Sequence, residues 1–366
     1  MFVEKISFLA ILILGVHSSY DCMQFALAEF GLRPSGGQCG VFNEEANITL
    51  IDTSVCTGGT VCRNNQTLYL SGEVNMMFYY PEDIYCHTPL SDLEDYSDGL
   101  PGTRCKSNGD CLSKNCTNGL CKGYGKGENF NCDYENDTYF THCSGLCSPG
   151  LFAKSKYPVS TCVEQYKGNH SCDYTYQCEN DHVCANGNCT KMFSVKNGQK
   201  IDFDFGYYDP SLGCENFYYD FYTSKCAEPT KSKNGQAAKC RKDEDCITTD
   251  GNHTNCECGL SGEKHCTLAR GDDYFVELRK LLKEWVSSGK VNNCNTLARF
   301  DPVCVAMNMD KDFSDRYYEY LTLAYYYAYI KDADDEVIKV YAPRYYSISN
   351  SGLVTVAYAL IFFLLA

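Results

Sequence analysis

A repeated cysteine spacing constrains the fold of this chain more than any other feature. Residues 105–121 contain four cysteines separated by five, four and four residues, and residues 172–189 repeat the pattern with gaps of five, five and four. A third copy begins at Cys240, 68 residues after Cys172 (240 − 172). Self-similarity at a nearly fixed period is typical of a modular array. We therefore predict a disulfide framework through the cysteines of the three copies: Cys105, Cys111, Cys116, Cys121, Cys172, Cys178, Cys184, Cys189, Cys240, Cys246, Cys256 and Cys258.

The total cysteine content favours an oxidised protein. The chain has 366 residues and 26 cysteines, which allows at most 13 bridges (26/2) and is typical of secreted or luminal proteins. A cytosolic metal protein is the competing interpretation, but it needs facing C-x-x-C pairs, which the sequence lacks. The cluster with metal-ligand residue types, between His253 and Cys266, includes three cysteines that we expect to be bridged. We predict no metal, no cofactor and no free catalytic thiol.

The charge and the motif content argue against several functional classes. The formal net charge of −15 and the pI near 4.9 argue against nucleic acid as a partner, because nucleic acid is bound through Lys and Arg. The sequence contains no G-x-S-x-G elbow, no H-E-x-x-H helix, no phosphate-binding glycine loop and no EF-hand loop. We therefore predict no catalytic residues and a protein that is not an enzyme.

Both ends of the chain have apolar segments typical of targeting signals. Residues 6–16 form an apolar run of 11 followed by small residues, which predicts a signal peptide over residues 1–18. Residues 353–366 form a second apolar run of 14, preceded by Ser-Asn-Ser-Gly. This pattern predicts a glycosylphosphatidylinositol attachment signal over residues 347–366, with the lipid joined near Asn350. The alternative is a short C-terminal membrane helix, which would fall below the usual length of about 20 residues.

Changes in composition divide the mature chain into further regions. An N-terminal region, 19–101, holds five cysteines in a different pattern, and cysteine-rich units follow at 102–171, 172–238 and 239–270. Asn-Gly pairs between the cysteines favour tight hairpin turns. Each unit is too small to bury a sufficient apolar core, so bridges are expected to stabilise it. The predicted fold class is small disulfide-rich modules of short β-hairpins and loops in tandem, followed by an α-helical C-terminal module at 271–346.

The apolar residues adopt the period of a helix from Gly271 onward. Asp272 or Asp273 can cap a first helix, and Gly289 suits its end. A second helix is predicted from residue 312 to about residue 330, and Cys294 and Cys304 can bridge the connection between the two. We interpret this region as a membrane-proximal module between the repeats and the anchor. The first helix has apolar residues at helical spacing: Phe275, Leu278, Leu281, Leu282, Trp285 and Val286.

Seven Asn-x-Ser/Thr acceptors for N-linked sugar occur, all before the helical module. Behind a signal peptide such acceptors mark surface loops that carry sugar. Asn115 and Asn188 have cysteine at the middle position, inside the disulfide motif, and are left out of the predicted set. The predicted glycosylation sites are Asn47, Asn65, Asn136, Asn169 and Asn252.

Clustered aromatic residues allow two interpretations. Tyrosine is a rigid amphipathic anchor, so the clusters can form a recognition surface for a protein or a sugar. Alternatively, the rings cover disulfides and fill the space between helices, which we favour for most of them. The longest cluster, residues 203–222, is interleaved with aspartates. It gives the possible ligand face: Tyr218, Tyr219, Phe221 and Tyr222.

The cysteine rhythm resembles that of a known family. The spacing C-x5-C-x4/5-C-x4-C, with Asp110 and Asp245 directly before the second cysteine, resembles the Dickkopf N-terminal type of cysteine-rich domain. It is also similar to knots along surface proteins of ciliated protists, which share the architecture of signal peptide, cysteine periodicity and lipid anchor. The resemblance covers about a fifth of the chain. It implies an extracellular binding or coat module without enzymatic activity, and no residue outside the rhythm supports a Wnt-antagonist role.

Two functional hypotheses follow. The first is a non-enzymatic, glycosylated, lipid-anchored protein at the outer leaflet of the plasma membrane that forms a coat or surface antigen. The alternative is an anchored receptor or adhesion module that binds a protein or glycan through an aromatic and acidic face. In both cases the membrane is a partner through the C-terminal lipid or a short segment, and nucleic acid is not.

Overall fold

Disulfide bonds organise the part of the chain that the structure describes. The computed structural model describes residues 22, 24–28, 35–43, 48–52, 56–58, 60–64, 84–87, 99–132, 143–156, 159–202, 210–335 and 337–338. The cysteines are all paired, in 13 disulfides, which confirms the predicted disulfide bonding. The predicted signal peptide, the segment with Asn350 and the acceptors Asn47, Asn65 and Asn136 lie outside the described residues.

Crossed pairing joins the four cysteines of each predicted copy. In residues 105–121, which we call module two, the first cysteine pairs with the third and the second with the fourth. Residues 172–189 (module four) and 240–266 (module six) are paired in the same way. The spacing predicts Cys258 as the fourth cysteine of module six. In the structure the fourth position is Cys266, which pairs with Cys246, whereas Cys258 pairs with Cys22.

The N-terminal region contains a further copy, residues 39–86, which we call module one. Its bridges Cys39–Cys62 and Cys56–Cys86 have the same crossed order. Cys62 and Cys86 lie opposite each other on a hairpin, as the third and fourth cysteines do in the other copies. The gaps between these four cysteines differ from those of the other copies, so module one is recognised by its disulfide pairing and not by its cysteine spacing.

Two more modules lack the first-to-third bridge. Of the two crossed bridges, only the second-to-fourth one is present in residues 130–162 (module three) and in residues 201–226 (module five), as Cys147–Cys162 and Cys214–Cys226. Module three has a further bridge of its own, Cys132–Cys143. Apolar side chains replace the missing cystine in both modules. They are Phe130 and Ala153 in module three, and Ile201 and Tyr219 in module five, all of them buried. The described residues therefore contain six related modules.

A hydrogen bond from the third position recurs in modules two to six. The residue at the third position donates its backbone N–H to a side-chain oxygen. The acceptor residue lies three residues before the second cysteine, in a single turn of 3-10 helix that ends at this cysteine. The donor and acceptor pairs are Cys116 and Asn108, Ala153 and Ser144, Cys184 and Thr175, Tyr219 and Ser211, and Cys256 and Asp243.

Each module contains a short antiparallel hairpin, and the connecting turns favour glycine. In all six modules a residue with positive φ lies three residues before the first cysteine, or before the apolar residue that replaces it, as at Gly102 (98°) and Gly198 (81°). Glycine adopts a positive φ without steric cost. In chain order the strands are β1 Gln24–Ala28, β2 Gly40–Asn43, β3 Ile48–Asp52, β4 Val61–Asn64, β5 Ile84–His87, β6 Cys116–Thr117, β7 Leu120–Cys121, β8 Asn129–Asn131, β9 Leu151–Lys156, β10 Val159–Glu164, β11 His182–Ala185, β12 Asn188–Lys191, β13 Tyr219–Asp220, β14 Lys225–Cys226, β15 Cys256–Cys258 and β16 Lys264–Cys266.

The strands form only small sheets. Near the N-terminus β1, β3 and β2 make a three-stranded sheet in the order β1-β3-β2, in which β1 and β3 are parallel. Module three has a second three-stranded sheet, β8-β10-β9. The remaining strands pair as two-stranded hairpins. This architecture confirms the predicted fold class of small disulfide-rich hairpin modules.

Up to residue 330, the described chain has three α-helices after the modules: α1 Asp273–Ser287, α2 Pro302–Asn308 and α3 Lys311–Ile330. The two longer helices confirm the sequence prediction, and Cys294–Cys304 bridges their connection. Asp272 is the N-cap residue of α1, but its carboxylate accepts from Ser232 and Ala269 instead of from the first turn. The seven-residue helix α2 was not predicted; Asp301 caps it by accepting from the N–H of Val303.

The helices share one apolar core with modules four and five. Trp285 of α1 is fully buried and donates from Nε1 to the carbonyl oxygen of Arg299 at 2.7 Å. Val183 of module four and Leu212 of module five belong to the same buried cluster as α1 and α3. A second buried cluster joins Cys39 and Cys86 of module one to α3. The helical region is therefore the centre against which modules pack.

Candidate functional site

The predicted ligand face lies on the hairpin of module five. The tip between β13 and β14 presents Phe221, which is 62% exposed, and Tyr222, which is 98% exposed. Tyr219 is only 3% exposed and belongs to the core. The structure thus divides the four predicted residues between the surface and the interior.

Tyr219 occupies the third position of module five, where other modules have a cysteine. Its hydroxyl donates to the carbonyl oxygen of Ile201, 3.3 Å away, which links the first and third positions without a disulfide. Tyr218 is partly buried; burial raises the pKa of its hydroxyl, and the carboxylates of Asp220 and Asp250 raise it further. Neither tyrosine offers a free ring face of the kind that the tip offers.

Hydrogen bonds within the tip fix its shape. Asp220 accepts from the N–H of Tyr222 at 2.9 Å and from the Thr223 hydroxyl at 2.6 Å. The Thr223 hydroxyl is the main reason that the pKa of Asp220 is lowered. The ring of Phe221 meets Tyr219 edge-on, with centroids 5.1 Å apart. The backbone of the tip and the ring of Phe221 are therefore held in place before any ligand binds, which reduces the entropy lost on binding.

The exposed groups of this tip are suited to contact with a ligand. Exposed aromatic faces stack on sugars and apolar groups and attract cations. Asp220 already uses both carboxylate oxygens within the tip. Residues 203–209, the first part of the predicted aromatic cluster, lie outside the described residues, and Phe217 of the same cluster is buried.

Two of the five predicted glycosylation sites are described, and both are exposed. Asn169 lies in the left-handed turn before module four, with φ of 64°. Asn252 lies on a turn of module six, where its amide donates to Asp250 at 2.8 Å. Asn115 and Asn188 are exposed as well, although the cysteine that follows each is bridged. The geometry leaves all four acceptor side chains at the protein surface.

Several residues with metal-ligand chemistry are engaged with protein partners. Cys256 and Cys266 are bridged, and His265 is buried with Nε2 at 3.2 Å from Asp332. Glu179, Asp181 and His182 place ligand atoms within 4.8 Å of one another. The Asp181 carboxylate contacts His182 Nδ1 at 2.6 Å, which lowers the pKa of Asp181. We assign no metal to this cluster, because grouped side chains alone do not define a site.

A buried polar junction between modules and helices was not predicted. Asn180 of module four donates from its amide to the carbonyl oxygens of Val291 and Cys294, both at 2.9 Å. Arg299 is fully buried and donates to the carbonyl oxygen of His182 at 3.2 Å. Asn295 donates in the same way into module three. Single polar residues of this kind belong to no motif, so the sequence contains no signal for them.

The disulfides indicate an extracellular or secreted protein, because bridges persist in oxidising compartments. Within the described residues we find no helix with the length and apolar character needed to span a membrane.

Comparisons of the chain with protein-family models, with curated proteins and with solved structures found no match.

Proposed function

We propose that this chain is a non-enzymatic, glycosylated protein of the cell surface, held at the outer leaflet by a C-terminal lipid, and that it forms a coat or surface antigen. The anchor near Asn350 and the sugar at the five predicted sites are parts of this proposal. The resemblance of the cysteine rhythm to Dickkopf-type domains and to ciliate surface proteins is a further part of it.

The observation that supports a coat is the way the modules are closed. Each described module ties its hairpin with at least one disulfide, and Cys22–Cys258 joins chain positions 236 residues apart. Cross-links of this kind resist unfolding and cleavage outside the cell, because they restrict the unfolded chain. Asn169 and Asn252 are exposed on turns, where attached sugar would cover the surface. A stable, sugar-covered body is what a coat requires.

The anchor is tested by treating intact cells with a phosphatidylinositol-specific phospholipase. The proposal predicts release of the protein into the medium, and retention on the cells would contradict the lipid anchor. N-glycosidase treatment of the released protein should lower its mass. A chain with Asn350→Gln should lose surface display if lipid is joined there, whereas Asn308→Gln, a change on helix α2, is the matched control.

A second candidate function is adhesion through the tip of module five. Phe221 and Tyr222 are the large apolar residues with the highest exposure among the described residues, and hydrogen bonds to Asp220 fix the backbone that carries them. An exposed aromatic pair on a stable protein indicates a contact surface. Replacement of both residues by Ala should abolish adhesion of protein-coated beads to cells without changing the melting temperature. Unchanged adhesion would rule out this face, and Val159→Ala, at another exposed apolar residue, is the control.

A further inference from the structure

A buried histidine connects module six to the end of helix α3. His265 of β16 has no exposed surface, and its Nε2 lies 3.2 Å from a carboxylate oxygen of Asp332, which follows α3. Next to this contact, the N–H of Leu260 donates to the carbonyl oxygen of Tyr329 at 2.8 Å. These two contacts join the hairpin β15–β16 to the C-terminal end of α3.

The other ring nitrogen of His265 finds no hydrogen-bond partner in the part of the chain that the structure describes. Nδ1 is buried and unpaired among the described residues. With Nε2 donating to Asp332, a neutral ring leaves Nδ1 as a bare acceptor. A protonated ring would instead bury an N–H that has nothing to donate to, and a buried donor without an acceptor is costly. The geometry therefore accommodates the neutral imidazole and opposes the imidazolium ion.

We propose that His265 and Asp332 form an acid-sensitive latch, which holds module six against the end of α3 at neutral pH and releases it when the imidazole is protonated. Release would expose the neighbouring apolar cluster, in which Leu260 packs with Tyr326 and Ile330 of α3. The latch is independent of the anchor and of the adhesive tip.

The charges around His265 support the direction of the switch. Burial has the largest effect and lowers the pKa of His265. The hydrogen bond with Asp332 raises this pKa, Lys331 lowers it and Glu263 raises it, and the net result is a lowered pKa. Lys239, paired across the backbone with His265, forms ion pairs with Glu263 and with Asp332. The other charged neighbours in the hairpin are Glu257, opposite His265, and Lys264, next to it.

The sign of the pH effect follows from linkage. The unfolded or released ring has its ordinary pKa of about 6.5, and the latched ring has a lower one. The latch is therefore at full strength above about pH 6.5 and weakens as the pH falls toward the lower, latched pKa. Within this window the opening equilibrium increases about tenfold for each pH unit.

Hydrogen exchange measured by mass spectrometry on the full chain at pH 7.5 and pH 5.0 tests the latch. After correction for intrinsic exchange, residues 256–266 and 326–335 should lose protection at pH 5.0, by about tenfold per unit of the window. His265→Gln, which can still donate to Asp332 but does not titrate, should remove this loss. His253→Gln, a change at an exposed histidine of the same module, should leave it as in the wild type.

The proposal is wrong if the wild type keeps or gains protection at pH 5.0, or if His265→Gln shows the same loss as the wild type. Asp332→Asn provides a second variant if His265→Gln does not fold. Removing the carboxylate takes away a group that favours the charged ring, so the latched pKa falls further and the loss of protection should continue to lower pH than in the wild type. A loss that ends at the same pH as in the wild type, or at a higher pH, would contradict the latch.

Discussion

The side-chain amide of Asn295 donates a hydrogen bond to the carbonyl oxygen of Cys147, 2.7 Å away, and so connects the helical region to module three. The same amide donates to Ser144 at 3.1 Å. Asn180 makes the corresponding pair of bonds from module four to Val291 and Cys294. In both places an Asn amide closes a one-turn helix that ends at a bridged cysteine, so modules and helices depend on each other.

Asn295→Ala should lower the free energy of unfolding by about 1–3 kcal/mol, because it leaves buried carbonyl oxygens of module three without a donor. Chemical denaturation with the disulfides intact measures the change. Asn292→Ala, at an exposed position three residues earlier, is the control and should have little effect. Equal stabilities for the two variants would show that the junction contributes nothing.

The first-to-third bridge of module four can be compared with its apolar replacement in module five. Removing Cys172–Cys184 by double Ala substitution should destabilise the protein by about 3 kcal/mol, since the bridge closes a loop with a sequence separation of 12. Cys172→Ile with Cys184→Tyr copies module five and should lose less. Denaturant unfolding compares the two variants, and a larger loss for the Ile and Tyr pair would contradict the equivalence of the modules.

Asp245 should make stability depend on pH in the acidic range. The backbone N–H of Arg241 donates to its carboxylate and is the main reason that the pKa of Asp245 is lowered. A lowered folded-state pKa means that the stabilisation is present above about pH 3.9 and is lost as the pH falls through the folded-state value. Asp245→Asn should lower the melting temperature at pH 7 and have a smaller effect near pH 2. Glu244→Gln is the control, and an equal effect of Asp245→Asn at both pH values would refute the carboxylate's role.

Gly123 is required by close contact between two backbone segments. A Cβ at this position would lie 2.6 Å from the carbonyl carbon of Cys147 and 2.6 Å from the nitrogen of Ser148. Gly123→Ala should therefore destabilise the protein by about 1–3 kcal/mol through overpacking. Gly109→Ala, where the nearest atom would be 3.6 Å away, is the control for thermal unfolding. If both variants have the same melting temperature, the two backbone segments can move apart without a loss of stability.

The sequence predicts the elements whose pattern is dense and local. Helix α1 follows from six apolar residues at helical spacing, and Gly289, with φ of 71°, ends it as expected. Modules three and five were not predicted, because buried Phe130 and Ile201 replace the first cysteine of the repeat, and the repeat was identified by its cysteines. Module one was not recognised as a copy because its gaps vary, while its pairing depends on which strands meet.

The sequence predicts a possible ligand face on the hairpin of module five, but it does not show which of the aromatic residues lie at the surface. Tyrosines with similar neighbours in the sequence differ in exposure in the structure. Tyr219 takes a core position because it replaces a cysteine, and Tyr222 lies at the turn. Only the register of β13 against β14 decides between these positions. The contact between His265 and Asp332 could not be predicted from the sequence either, because the two residues are 67 positions apart in the chain.

Non-reducing peptide mapping of module six tests the crossed pairing most directly. Cleavage after Lys and Arg and before Asp separates residues 245–249, which contain Cys246, from residues 250–264 and 265–270. Crossed pairing predicts that the Cys246 peptide is joined to the Cys266 peptide alone, while Cys240 and Cys22 are joined to residues 250–264. A Cys246 peptide joined to Cys240, or alkylated without prior reduction, would contradict the modular disulfide framework.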